Sequence, residues 1–510
     1  MFLEAGLERV DDDPAVLSVR GRLLKDRALA AEGAERRRLY LESADAYARA
    51  GEIGGATYPL INAATLSLLA GRREQAQAFA RQVLERLAQY GDEPETPYYR
   101  AATRAEALLL LGELAKARKD FAAAIALAPR AFEDHASTLR QFGLILDALG
   151  KDKSWLDASR PPRSLHFAGH MALAAKDDAI ARQIRAAIKR ERIGFGYGAL
   201  AAGADIVIAE ALLEHGAELN LILPAPRARF RQASVVRFGG DWAERFDRIV
   251  DAAHTVRAID CGVDPASPLA IRLAAEVAMG SAVMQADRLT SEAVQLLILD
   301  GKIQSGRARS GSGWIGALWK KGGRRQHVLA APRVRSARAE RAAMRKSDTQ
   351  TRLAAMLRID LSRAVAQGRA ADALQRLART LASGPKPSFA PRWTGEAVAV
   401  AFDSAASASR AALSAAAALD ETMLARIAGH YAIAERGSDP FGGEAILTGP
   451  ATALPGQIVL STPSGAIHVS EDFAAALHAG AAKGRPRTEL VGELAAGEID
   501  NPFRLYSLKR

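Results

Sequence analysis

Five glycines punctuate the segment from Gly194 to Pro224, which reads GFGYGALAAGADIVIAEALLEHGAELNLILP. Glycine lets the backbone approach a ligand with no Cβ in the way, and a helix that begins just after such a loop directs its N–H groups at an anion. The pattern predicts a Gly-rich turn, then a helix over Ala204–His215 capped by Gly216, then a buried strand over Leu219–Leu223. The segment therefore predicts a ligand site, and the alternative is a turn whose glycines only shape the backbone.

Glycines and an acidic residue also follow other predicted strands. Residues 164–171, SLHFAGHM, and residues 293–301, AVQLLILDG, are predicted to be strands, and the Gly/Ser turn at 311–313 leads into a helix. Strands that alternate with helices predict a parallel sheet, whose ligands collect at the carboxyl ends of the strands. We expect Gly169, Gly196, Asp300 and Gly311 to lie there. The complete predicted ligand-binding set is Gly169, His170, Gly196, Gly198, Gly203, Asp205, Asp300, Gly311, Ser312 and Gly313.

The histidines and the cysteine form no metal-binding pattern. His166 and His170 are four residues apart, but a strand end and a turn separate them, so they do not share a helix face as two zinc ligands would. A structural or ligand-facing role for His170 alone is the better interpretation. Cys261, the single cysteine, has no histidine or other base near it in the sequence and is predicted to be inert.

Composition predicts a cytoplasmic protein of several domains. The 510 residues correspond to about three domains of ~150 residues each. A hydrophobic content of 49% and a mean hydropathy of −0.05 are ordinary for globular proteins. The single cysteine excludes a disulfide framework. The N-terminus lacks the apolar core of a signal peptide, and no apolar run approaches the ~20 residues that span a bilayer, so we expect no membrane partner.

The formal charge of +11 is concentrated in one stretch. Residues 301–346 contain thirteen Lys or Arg and one acid, Glu340. Such a stretch could meet phosphates, a membrane surface or nucleic acid, and the alternative is a solvated linker. Aromatic residues make up only 6% of the chain and do not interleave with these charges, so the pattern argues against nucleic acid.

Helical periodicity with Gly-marked turns runs from about residue 20 to residue 156. Two stretches share one spacing of small and aromatic residues, which lets paired helices approach closely. The first contains Gly71, Ala76, Ala80 and Val83, and the second Gly112, Ala117, Phe121, Ala124 and Pro129. This spacing resembles tetratricopeptide repeats, and the resemblance implies a scaffold for a protein partner.

The middle of the chain resembles the SLOG superfamily of Rossmannoid domains. The matching stretches are SLHFAGHM, the Gly-rich segment, and AVQLLILDG followed by GSGW, within about residues 161–333. Relatives include the DNA-uptake protein DprA and the cytokinin-activating LOG enzymes, so the resemblance implies binding of a nucleotide or nucleotide-derived ligand. The PGGxGT loop of the LOG enzymes is represented only by residues 311–313 with no threonine after them, which argues against hydrolase activity.

The last third of the chain resembles the class III adenylate/guanylate cyclase catalytic domain. The matching stretches lie between about Leu353 and Leu508 and include AMLRIDL, which ends near Asp360, and RWTGEAVAVAFDS, predicted as a hairpin with Glu396 at its tip. Because cyclases of this class work as dimers, the resemblance allows a homodimer. It also implies two Mg²⁺ ions held on a pair of aspartates.

Several departures from the cyclase pattern predict an inactive domain. Asp360 stands at the first metal position and Glu396 at the second, where its longer side chain could still bind Mg²⁺. The two carboxylates could equally be a surface pair. The family's G-x-x-x-N-x-x-x-R helix, whose Asn and Arg stabilise the transition state, corresponds to Leu447–Leu460, which has neither residue. The Gly-Phe-Ser/Thr that follows the family's aspartate is also missing.

The sequence thus predicts a multidomain α and α/β protein. Residues 1–160 form helical repeats, 161–333 a central Rossmann-like parallel α/β sheet, 334–350 a basic linker, and 351–510 a C-terminal α+β cyclase-like domain. The predicted function is signalling: a nucleotide-type ligand in the central domain, a protein partner on the repeats, and no catalytic residues. The alternatives are an active cyclase, a SLOG-type nucleotide hydrolase, or a scaffold with no ligand.

Overall fold

The computed structural model describes residues 12–89, 96–171, 173–174, 176–259, 262–300, 311–334, 350–419, 423–439, 445–480, 484–494 and 503–509. The chain divides into two compact units: residues 1–161 with 288–291, and residues 162–287 with 292–510. Cys261 and, within the basic stretch at 301–346, residues 301–310 and 335–346 lie outside the described residues.

The first unit is helical. Its helices are α1 (Pro14–Ala30), α2 (Gly33–Gly54), α3 (Thr57–Leu69), α4 (Arg73–Gln89), α5 (Pro97–Leu110), α6 (Leu114–Leu127) and α7 (Phe132–Leu149), followed by a 3-10 helix, Ser154–Ser159. Consecutive helices pack against each other, and their small residues are buried where they touch. The unit is therefore an array of helix pairs.

The two predicted repeat turns have the same geometry. Gly71 and Gly112 both have φ of +85°, a conformation that favours glycine. In each turn the residue after the glycine donates its N–H to a carbonyl of the preceding helix, from Arg72 to Ser67 over 2.8 Å and from Glu113 to Leu108 over 2.9 Å. The small and aromatic residues of both predicted copies, Ala76, Ala80, Val83, Ala117, Phe121 and Ala124, are almost completely buried.

The second unit begins with a six-stranded, wholly parallel sheet in the order β4-β3-β2-β1-β5-β6. Its strands are β1 (Arg163–Gly169), β2 (Ile193–Gly198), β3 (Glu218–Leu223), β4 (Thr255–Ala258), β5 (Ala293–Leu299) and β6 (Arg325–Ala330). The intervening helices are α8 (Asp178–Arg190), α9 (Ala204–Glu214), α10 (Arg227–Ser234), α11 (Trp242–Ala252), α12 (Pro268–Arg288) and α13 (Gly311–Lys321), with a 3-10 helix at Val236–Phe238. The strand order changes direction between β1 and β5.

The same unit contains a second, mixed sheet in the order β13-β14-β12-β10-β7-β9-β8, with β11 paired to β10. Its strands are β7 (Thr351–Asp360), β8 (Phe389–Trp393), β9 (Ala397–Phe402), β10 (Arg426–Ser438), β11 (Ala445–Thr448), β12 (Ile467–Ser470), β13 (Arg487–Leu494) and β14 (Phe503–Lys509). Its helices are α14 (Ser362–Ala366), α15 (Ala370–Ser383), α16 (Ala405–Ala418), α17 (Leu454–Leu460) and α18 (Glu471–Ala479). Helices α15, α16 and α18 pack on one face of this sheet and α17 on the other.

Helix α12 lies in a core that both sheets share. Leu273 and Val277 belong to the same buried cluster as Leu357 of β7 and Phe473 of α18. By length and composition α12 is the one described helix that could cross a membrane, although we expected no apolar run of that length. Because 67% of its apolar window is buried inside the fold, its apolar character is explained by packing.

The contact between α12 and α18 is unusually close. A Cβ built on Gly280 would lie 1.7 Å from the carbonyl oxygen of Ala475, so only glycine allows the two helices to approach this far. Nearby, the buried hydroxyl of Tyr431 on β10 donates to Glu276 of α12 over 2.7 Å. The guanidinium of Arg324 donates to the carbonyls of residues 478–480 at the end of α18, over 2.7 to 3.1 Å. The two sheets are therefore joined by apolar and polar contacts.

Candidate functional site

The candidate site lies where the order of the parallel sheet changes direction. The carboxyl ends of β1 and β5 are neighbours there, with Gly169 in register with Ile298, and Asp300 follows β5 directly. The first residue of helix α9, Ala204, lies against Gly169, because a Cβ on Gly169 would approach the Cβ of Ala204 to 2.3 Å. Ligands of doubly wound sheets bind at such a change of direction.

The first part of the Gly-rich segment is a strand and not the turn that the sequence predicted. Residues 193–198 form β2, and each of its glycines faces a neighbouring side chain. A Cβ on Gly194 would meet Pro162 at 2.5 Å, one on Gly196 would meet Leu212 at 2.6 Å, and one on Gly198 would meet Phe167 at 2.6 Å. Glycine within a strand often marks such close packing.

Gly196 is consequently not at the carboxyl edge where we expected it. It lies in the middle of β2, in register with Leu165 of β1 and Leu219 of β3, and is covered by α9. Gly198 is the last residue of β2 and therefore does reach that edge. Its packing against Phe167 explains the glycine without any ligand.

Gly203 shapes the start of helix α9. Its φ of +94° lies in the region that favours glycine, and a Cβ there would meet the carbonyl oxygens of Met171 and His170 at 2.7 and 2.8 Å. Glycine is thus required at this position by the protein's own backbone, whether or not a ligand binds beside it.

Asp205 joins two loops of the site. Its carboxylate accepts hydrogen bonds from the N–H groups of Gly169 and Ala201, each over 3.1 Å. The side chain is buried, and burial raises the pKa of this carboxyl to about 7 even though both N–H groups favour the charged form. Asp205 therefore holds the end of β1 against the loop that precedes α9.

This raised pKa predicts a stability that depends on pH. An unfolded aspartate has a pKa of about 3.9, so between that pH and about 7 the folded chain keeps a proton that the unfolded chain releases. Stability contributed by this proton is present at low pH and decreases as the pH rises through this window. We expect Asp205→Asn to remove this decrease, measured as the difference in Tm from pH 5 to pH 8. Parallel curves for the two proteins would exclude the effect.

The remaining predicted residues of the crevice lie at different points around it. The His170 ring is buried, with Nε2 3.1 Å from the carbonyl oxygen of Ala331. Asp300 lies 3.7 Å from Arg333. Gly311, Ser312 and Gly313 are the first residues of α13 and not a turn before it. Residues 301–310, which connect β5 to α13, lie outside the described residues.

His166 is a core residue. Its Nδ1 lies 3.0 Å from the amide nitrogen of Gln295, and its ring stacks on Trp319 with centroids 5.9 Å apart. Complete burial lowers the pKa of His166 to about 3, so it stays neutral.

Arg237 is a candidate residue that the sequence did not single out. It lies in the 3-10 helix Val236–Phe238, three residues after Ser234, whose carbonyl accepts from Ala202 in the loop before α9. Its Nε and one terminal nitrogen are buried and have no hydrogen-bond partner among the described residues, although the guanidinium lies 5.2 Å from the Phe238 ring. The sequence offers no signal for it, because it is one of 69 Lys and Arg residues.

In the mixed sheet, Asp360 already has a cationic partner. It ends β7 and is buried, and its Oδ1 accepts from Arg426 over 3.2 Å and from the Ser362 hydroxyl over 2.7 Å. Arg426 is its direct register partner on β10. The guanidinium thus neutralises the carboxylate that the cyclase resemblance assigns to a metal.

Glu396 is exposed at the turn between β8 and β9, as predicted for a hairpin tip. Its backbone carbonyl accepts from Leu361 over 2.7 Å, which places it beside the end of β7. No group of three or more His, Cys, Asp or Glu suited to a metal occurs among the described residues. With Asp360 paired and Glu396 in solvent, these residues do not fit a two-metal centre.

The stretch that corresponds to the family's transition-state helix does form a helix, α17, because Pro455 lies in its first turn. Counted from Gly449, the G-x-x-x-N-x-x-x-R spacing falls on Ala453 and Gln457, and both are exposed. Neither side chain carries the positive charge of the missing arginine.

Comparisons with known proteins support parts of this description. A family model, TPR-S (Tetratricopeptide Repeats-Sensor), matches residues 2–67, which confirms repeats of the predicted kind at the N-terminus. No curated protein matches the sequence.

Solved structures similar to part of the chain are cyclase domains. The adenylyl cyclase CyaB from P. aeruginosa is 12% identical, with 32% of this chain and 97% of that chain covered and a TM-score of 0.28. The guanylate cyclase domain of RhGC from Catenaria anguillulae in complex with GTP is 14% identical, with 31% and 96% covered and a TM-score of 0.26. An adenylate cyclase from Trypanosoma brucei is 11% identical, with 32% and 90% covered and a TM-score of 0.28.

Proposed function

We propose that this chain is a cytoplasmic signalling protein that binds a nucleotide or nucleotide-derived ligand at the carboxyl edge of its parallel sheet. In this proposal the N-terminal repeats hold a protein partner, and the mixed sheet is a cyclase-like domain without catalytic activity. The resemblance to the SLOG superfamily over residues 161–333 supports the ligand class.

The observation that carries the ligand proposal is the guanidinium of Arg237, three residues after Ser234, whose carbonyl accepts from the loop before α9. A guanidinium whose buried nitrogens have no hydrogen-bond partner among the described residues is costly, and an oxyanion can satisfy it in a bidentate way. The N-terminus of α9 begins at Ala204, in the same region, and helix N-termini favour anions. A phosphate group of a nucleotide would satisfy both.

Two acidic side chains that already have hydrogen-bond partners favour a role as a sensor over catalysis. Asp205 accepts two backbone N–H groups and Asp360 accepts from Arg426, so both carboxylates have structural partners within the fold. The shared core around α12 would carry a change at the crevice into the mixed sheet. Membrane and nucleic acid have no part in the proposal.

We expect purified protein to release a nucleotide on denaturation, measured by absorbance at 260 nm and mass spectrometry. Arg237→Gln is expected to lower the amount about tenfold or more, because a hydrogen bond to a charged group is worth about 1.5–3 kcal/mol. Arg182→Gln, at an exposed position of α8, is the control with the same charge change.

Equal nucleotide content in wild type and Arg237→Gln would contradict the assignment of Arg237. Failure of wild type both to release a nucleotide and to bind ADP in calorimetry would contradict the proposed function itself.

A further inference from the structure

A cleft of about 320 Å³ lies on the face of the mixed sheet that carries α17. Its floor is formed by β7 and β9, and its walls by β8, β11 and the start of α17. Phe389, Leu447 and Pro455 supply apolar surface, and Gly456 leaves space opposite the floor. The volume is at the lower end of the range of small-molecule sites.

The charges that line this cleft have one sign. Arg358 and Arg392 both line it, and none of the described lining residues is an Asp or a Glu. Arg392 is paired with Asp439. Arg358 is partly buried and makes no hydrogen bond or ion pair with any residue in the described part of the chain.

The strand register explains why Arg358 has no partner within the sheet. Its neighbours across β9 and β10 are Ala399 and Ala428, which have no polar side-chain atoms. Asp360 lies two residues further along β7 on the same face, but it accepts from Arg426. Among the described residues, the guanidinium of Arg358 is thus the cation of this cleft that no acid neutralises.

We propose that this cleft binds a small organic oxyanion directly on Arg358, without a metal ion. A guanidinium binds the two oxygens of a carboxylate or phosphate in parallel, and it does so more strongly where apolar walls exclude water. The apolar surface of Phe389, Leu447 and Pro455 would hold the organic part of the ligand. Next to the cleft, Arg426 pairs with Asp360, and its positive charge takes the place of the charge of a metal ion. The proposal is independent of the ligand at the parallel sheet.

The test uses the full chain in EDTA, with phenyl phosphate, benzoate and benzyl alcohol as probes in isothermal calorimetry. We expect at least one of the two anions to bind and the neutral alcohol not to bind; the tighter anion then identifies a phosphate ester or a carboxylate as the ligand class. Arg358→Gln is expected to weaken anion binding about tenfold to a hundredfold.

Two kinds of variant keep the result interpretable. Arg410→Gln removes one exposed charge from α16, on the opposite face of the sheet, and is expected to leave binding unchanged. Gly456→Leu fills the cleft from α17, where a Cβ meets only Arg358 Cδ at 3.9 Å, and is expected to abolish binding in a folded protein.

Four results would overturn the proposal: binding of neither anion, equal binding by Arg358→Gln, binding that requires added Mg²⁺, or benzyl alcohol binding as tightly as the anions.

Discussion

Replacing Gly280 with alanine is expected to destabilise the second unit by about 3 kcal/mol or more, since adding atoms to a packed core costs about 1–3 kcal/mol even where side chains can adjust. At this position the new Cβ would lie 1.7 Å from the carbonyl oxygen of Ala475 and 2.6 Å from its Cα. Backbone atoms of α18 cannot rotate away, so the two helices must separate. Separation would also lengthen the hydrogen bond from Tyr431 to Glu276.

The measurement is urea unfolding followed by circular dichroism and tryptophan fluorescence. The matched control is Gly143→Ala, because Gly143 lies inside helix α7 and a Cβ there meets nothing within 4 Å. Alanine in an open helical position is expected to stabilise by about 0.5–1 kcal/mol. If Gly280→Ala unfolded at the same urea concentration as wild type, α12 and α18 would not form the joint that links the sheets.

The element order of the parallel sheet was largely predictable from the sequence, because strands and helices differ in the period of their apolar residues. The predicted strands at 164–171 and 293–301 are found as β1 and β5, which are one and two residues shorter. The residues at 194–198 were predicted wrongly as a turn, since three glycines in five residues suggest one. These three glycines are explained by tertiary packing, because Pro162, Leu212 and Phe167 occupy the space that side chains would need.

The candidate site was predictable only where a residue's role depends on its own strand or helix. Gly169 ends a strand and Asp300 follows one, and the structure places both at the carboxyl edge. One partner of each acid lies far away in the chain, Gly169 at 36 residues from Asp205 and Arg426 at 66 residues from Asp360, so these contacts could not be read from spacing. Arg237 and Arg358 are conspicuous only in the structure. Two buried nitrogens of Arg237 have no hydrogen-bond partner among the described residues, and no described residue that lines the cleft at Arg358 is an acid.

Supplied with ATP or GTP and Mg²⁺ or Mn²⁺, the protein is expected to form no cyclic nucleotide above a control without protein. Two independent deficits lead to this result. The positions of the family's Asn and Arg fall on Ala453 and Gln457, and losing one electrostatic donor already costs about 10²–10³ in rate. In addition, Asp360 is paired with Arg426, and Glu396 lies in solvent.

Arg426→Ala distinguishes the effect of the ion pair on Asp360 from the effect of the missing transition-state donors. If the ion pair alone suppressed activity, this variant would free Asp360 for Mg²⁺ and produce cyclic nucleotide; we expect it to stay inactive, because the missing transition-state donors are not restored. Asp360→Ala serves as the control for any residual product, since a signal that survives this change cannot come from the metal position. Cyclic nucleotide made by the wild type and lost in Asp360→Ala would show an active cyclase. It would also mean that Arg426 leaves Asp360 when nucleotide and metal arrive. A carboxylate oxygen that is neutralised by the guanidinium at 3.2 Å cannot at the same time serve as a metal ligand with full charge.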